Sequence, residues 1–88
     1  MQPARPTPPG NVIRREIAAR CWTQAQLAEQ MGRPVQTISL ICTGKKAITP
    51  ATALQLEDVL GEPGAQFWLD LESRWRLWLE REKRRLSE

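Results

Sequence analysis

The chain has no histidine and no tyrosine, a single phenylalanine, and two cysteines among its 88 residues. Without histidine there is no His-dependent catalytic triad and no His-ligated zinc, and without tyrosine no phenolic acid or base. Cys21 and Cys42 form no C-x-x-C pair and lie near no other metal-ligand pattern, so neither a metal nor a cofactor is expected. An enzyme is not expected either. No apolar run approaches the roughly 18 residues that cross a membrane. The segment from Met1 to Pro9, interrupted by Pro3, Pro6 and Pro8, lacks the apolar stretch of a signal peptide. These absences lead to the expectation of a small cytoplasmic protein with no membrane partner and with both cysteines reduced and semi-buried.

What is present is helical. Residues 1–9 read as a disordered, proline-rich arm. From Asn11 onward, Val12, Ile13, Ile17 and Cys21 make an apolar stripe, with Arg14, Arg15 and Arg20 largely off it. Thr23 and Gln26 have the spacing of a capping box, and Trp22 precedes them in the position of a hydrophobic staple onto Leu27. Gly32 stops that second helix. Pro34 stands at or just before a third helix reaching Thr43, and Gly44 closes it. Thr49-Pro50 opens a fourth helix ending at Leu60-Gly61, and after Pro63 a segment of about 64–86 has no glycine or proline. No period-two alternation persists, so the fold class is all-α, with five helices and an extended last one.

The second and third helices, from Thr23 to Ile41, have the layout of a helix-turn-helix. Projected at 100° per residue, Ile38, Ile41 and Cys42 fall within about 100° of arc, and Gln36 and Leu40 fall opposite. Val35 lies at the edge of the core arc, with Ser39 and Thr43 toward one flank. Gln36 carries the group that pairs bidentately with adenine in the major groove, and Val35 and Leu40 suit thymine methyls. Leu40 equally suits a contact with another protein. Thr37 and Ser39 offer hydroxyls to phosphates, Gln24 stands at an open helix N-terminus, and Lys45 and Lys46 can clamp phosphates or simply be solvated. Gly44-Lys45-Lys46 is no P-loop, because no glycine sits five residues upstream.

The segment from Pro9-Gly10 to about Leu71 resembles the Xre or lambda-repressor-like family, and within it the HigA-type antitoxins. The residues that carry the likeness are Pro9-Gly10, Trp22-Thr23-Gln24 with Leu27-Ala28, Thr37-Ile38-Ser39, and the run Gly44-Lys45-Lys46-Ala47-Ile48-Thr49-Pro50. Ala53-Leu54, Leu56, Leu60-Gly61 and Phe67-Trp68-Leu69 follow in order. The chain departs from the family pattern at Pro8, Pro34, Leu40 and Thr43, where that pattern commonly has histidine, a cap residue, a polar residue and asparagine. The resemblance implies a lambda-repressor-like domain over 10–62 with a recognition helix at about 34–43. It also implies an antitoxin that binds double-stranded operator DNA, represses its own operon and neutralises a HigB-type, RelE-like mRNA interferase. Its setting would be the bacterial cytoplasm, at the nucleoid when bound to DNA. The alternatives are a stand-alone Xre repressor without a toxin and an interaction adaptor that no longer reads DNA.

Residues 1–20 carry four arginines against one glutamate, so the chain's overall charge of +3 is matched by that segment alone. Residues 61–88 balance six basic against six acidic groups, and the basic end from Arg81 to Arg85 reads as solvated. On the last helix Phe67, Trp68, Leu71, Trp75, Trp78, Leu79 and Leu86 share an arc of about 120°, with Leu69 and Leu77 off it. Phe67 and Trp68 are expected in the core. Trp75, Trp78, Leu79 and Leu86 on 63–88 are expected to meet a second copy of the chain, or a toxin, because some 34 Å of helix outreaches a four-helix domain.

Overall fold

The computed structural model describes residues 5–87; Met1 to Ala4, including Pro3 of the proline-rich arm, and Glu88 lie outside them. Five helices follow one another: α1 (Pro9–Ala19), α2 (Gln24–Met31), α3 (Val35–Cys42), α4 (Pro50–Leu60) and α5 (Ala65–Leu86). No strand occurs among the described residues. Helix α1 begins two residues earlier than its apolar stripe suggests. Pro9, assigned above to the arm, occupies the first helical turn and is buried together with Gly10. Proline suits that position because its missing N–H would have no partner there.

Local chemistry sets the helix ends. The Thr23 hydroxyl accepts from the Gln26 N–H while the Gln26 side chain accepts from the Thr23 N–H, so the capping box is formed. Thr49 caps α4 by accepting from the Thr52 N–H. Gly32 (φ 66°) ends α2 in the left-handed region, and the Arg33 N–H turns back to Ala28 O. This is the bend that sets α3 across α2.

Helix α2 packs on α3, α1 on α3 and α5, and α4 on α2 and α5. The shared core holds Ile13 and Ile17 of α1, Leu27 and Ala28 of α2, Ile38 and Ile41 of α3, Ala53 and Leu56 of α4, and Trp68 and Leu71 of α5. Each fully buried Leu or Ile side chain among these contributes about 1.5–3 kcal/mol. Trp68 is enclosed, and its indole N–H donates to Pro63 O at 3.1 Å. Arg20 ties α1 to the end of α4, donating to Leu60 O at 2.9 Å and pairing with Glu16.

Several expectations for the periphery change. Phe67 is 44% exposed, edge-on to Trp68, and Leu69 packs against the core in its place. The helix rotates by about 200° between those two residues, which an arc drawn over seven apolar residues cannot resolve. Trp75 is not a partner-facing residue: it is buried within its own chain at 7% exposure. It stacks on half-buried Trp78 at 5.5 Å, and the Arg5 guanidinium lies 5.1 Å from the Trp75 ring and 5.6 Å from that of Trp78. The described part of the arm therefore lies against α5. Both cysteines are thiols; Cys42 is buried, but Cys21 is exposed rather than semi-buried.

Candidate nucleic-acid interface

Helix α3 turns Ile38, Ile41 and Cys42 inward and leaves Val35, Gln36, Ser39 and Leu40 exposed, with Thr37 half-buried. Val35 and Leu40 are 43% and 40% exposed, so the outer face carries apolar atoms beside the Gln36 amide and the Ser39 hydroxyl. The Thr43 hydroxyl donates back to Ser39 O and Leu40 O, so its proton is held by its own helix and only its oxygen lone pairs face outward. Gln24 is half-buried in the first turn of α2, and Lys45 and Lys46 are exposed immediately beyond the Gly44 turn. Along the chain, Gln24 opens α2, α3 follows, and the two lysines come just after the α3 C-terminus.

Charge supports the same surface. Between Glu29 and Glu57 the chain has no acidic residue, whereas Arg33, Lys45 and Lys46 lie in that stretch. Arg33 donates to the neutral Gln55 amide, which leaves its charge uncompensated. This acid-free interval was readable in the sequence as a run without Asp or Glu. It covers α3 and both of its turns, which net charge does not single out.

Helix α5 contributes a feature that residue pattern alone did not reveal. The buried Glu72 carboxylate accepts from the Ile48 N–H at 2.7 Å through Oε1 and from Arg76 Nε through Oε2. Arg76 Nη2 donates to Gly44 O at 2.9 Å. The Glu72–Arg76 spacing of four residues was visible, but its attachment to the loop around Lys45 and Lys46 was not. Behind α3, burial pushes the Cys42 thiol above its ordinary range, and the positive charge of Arg14 partly offsets this.

Among the described residues no cluster of three or more His, Cys, Asp or Glu could hold a metal ion, and no helix is long and apolar enough to cross a membrane.

A capped helix, a left-handed glycine turn and a second helix with an exposed polar-apolar face define a helix-turn-helix DNA-binding regulator. The helix-turn-helix family model HTH_3 matches residues 13–67, and the chain belongs to that Xre-like family. It is 34% identical over 69 residues, 78% of its length and 72% of the relative's, to the uncharacterised HTH-type transcriptional regulator YddM of Escherichia coli K12. Its fold is similar to that of an antidote-type protein of a plasmid maintenance system from Nostoc punctiforme, with a TM-score of 0.88, 31% identity, and 96% and 91% of the two chains covered. It is also similar to the Pseudomonas aeruginosa antitoxin HigA, solved with the higBA promoter, with a TM-score of 0.78, 27% identity, and 86% and 83% covered.

Proposed function

We propose that the chain is a DNA-binding antitoxin of a type II toxin–antitoxin module. It binds an operator in its own promoter as a homodimer and neutralises a HigB-type, RelE-like mRNA interferase by direct contact. The observation that carries the DNA half is the exposed α3 face of Val35, Gln36, Ser39 and Leu40, set in an interval without acidic residues. In this reading residues 10–62 engage DNA. Gln36 reads adenine, Val35 and Leu40 touch thymine methyls, the Thr43 oxygen faces the groove, and the Ser39 hydroxyl is offered to the phosphates. Gln24, Thr37, Lys45 and Lys46 hold phosphates. The antitoxin half is supported by the likeness to antidote-type and HigA structures. Residues 63–88 supply the dimer or toxin contact through Trp78, Leu79 and Leu86. A regulator without a toxin is the second reading, favoured by the likeness to a transcriptional regulator.

Titrating the chain against DNA from its own upstream region over a salt series tests the first half. Gln36→Ala should cost about 1–3 kcal/mol on the operator and little on random DNA, and Lys45→Ala should weaken both alike. Equal losses for Gln36→Ala on both DNAs would remove its base-reading role. The second half is tested by purifying the tagged chain from its host. A small stoichiometric partner whose expression alone arrests growth supports the antitoxin, and DNA without such a partner supports the stand-alone repressor.

A further inference from the structure

We infer that Glu72 and Arg76 of α5 are positioning residues for the Lys45–Lys46 loop, acting on DNA affinity without touching DNA; this rests on the DNA-binding reading above. The loop joins α3 to α4, and its first turn is held locally, with the Lys45 and Lys46 N–H groups both returning to Leu40 O. On either side of the two lysines a second tether comes from α5. Arg76 holds the loop at the Gly44 carbonyl, Glu72 holds it at the Ile48 amide, and the two side chains bond each other. The lysines lie between those two anchor points.

A carboxylate at the edge of an apolar core is a costly choice if packing alone is at stake, because an apolar side chain of similar volume would often serve as well. What the ion pair supplies here is direction. It provides a charge-assisted acceptor for one backbone donor and a planar donor for one carbonyl, four residues apart along the loop. Trp75 backs the same turn, its Nε1 lying 3.9 Å from where a Cβ on Gly44 would stand. Two phosphate-binding side chains on a loop fixed at both ends keep their spacing before DNA arrives, so less ordering is required on binding. Glu82–Arg85, the exposed pair near the end of α5, has no such attachment among its hydrogen bonds.

The test uses the full chain with Arg76→Gln and Arg76→Lys, each also in a Lys45→Ala/Lys46→Ala background, and Arg85→Gln as control. Affinity for the chain's own upstream duplex is measured by fluorescence anisotropy at about 50–200 mM salt. Folding is checked by circular dichroism and loop order by amide exchange at Ile48. Arg76 is partly exposed, so its replacement removes no core side chain, and the circular dichroism reads any cost of leaving Glu72 unpaired. Both Arg76 variants should lose about tenfold in affinity and about 1–2 in the slope of log affinity against log salt, with faster exchange at Ile48. In the lysine-free background the same substitutions should change affinity by less than about twofold, and Arg85→Gln should match wild type. Wild-type affinity and slope in Arg76→Gln would overturn the inference. So would an undiminished loss without the lysines, or full rescue by Arg76→Lys, which would make Arg76 a direct phosphate contact. A wild-type chain that binds no duplex at low salt would overturn the DNA-binding reading itself, and the positioning role with it.

Discussion

Gly10 lies where the start of α1 passes the end of α3, and a Cβ built there would stand 1.9 Å from Cys42 O and 2.8 Å from its Cα. Backbone on both sides leaves nothing to swing aside, so Gly10→Ala must part the two helices. It should cost about 3 kcal/mol or more, read as a lower urea midpoint; an unchanged midpoint would contradict the close approach. Within the sequence Gly10 stood out only through family resemblance, because periodicity carries no information about a carbonyl met 32 residues later. Trp75 illustrates the same limit. Its place on the apolar stripe was correct, but the stripe could not reveal that Arg5, from the opposite end of the chain, stacks over it. The inward row Ile38, Ile41 and Cys42 was fully legible, since burial of one face of a short helix follows from angle alone.

Among the elements, the caps at Thr23, Thr49-Pro50 and Gly32 were readable because capping is chemistry between near neighbours in the chain. The end of α1 was not, because the residue that takes the left-handed conformation there is Cys21, at φ 59°. The Trp22 N–H bonds Ile17 O at 2.8 Å and the Cys21 N–H bonds Ala18 O at 3.0 Å, which is the glycine-type helix stop built on a residue with a Cβ. That conformation costs a non-glycine residue about 1–2 kcal/mol, part of which glycine would return to unfolded-state entropy. Cys21→Gly should therefore raise stability by about 0.5–1 kcal/mol in a denaturant titration. A loss of stability would mean that the exposed thiol makes a contact of its own. The lengths of α4 and α5 followed from Pro50, Gly61 and the glycine-free run after Gly64; the grip of Glu72 on the loop joins residues 24 apart and no local rule foretells it.

At the scale of the whole molecule, the described residues span 44 × 23 × 23 Å, and Leu79 and Leu86 near the end of α5 are 36% and 73% exposed. In the dimer proposed above these leucines are covered by a second copy. Light scattering at micromolar concentration should then give twice the 10.1 kDa chain mass, and Leu79→Glu with Leu86→Glu should halve it while leaving the helical spectrum intact. A wild-type monomer would remove the dimer. The seam closed by Gly10 carries one further consequence. Cys21 meets solvent while Cys42 is buried at the seam, its thiol further quietened by burial. A sulfhydryl reagent should thus reach one sulfur at once and the other only when the core around it opens, so the protein carries both hands of a clock for its own breathing.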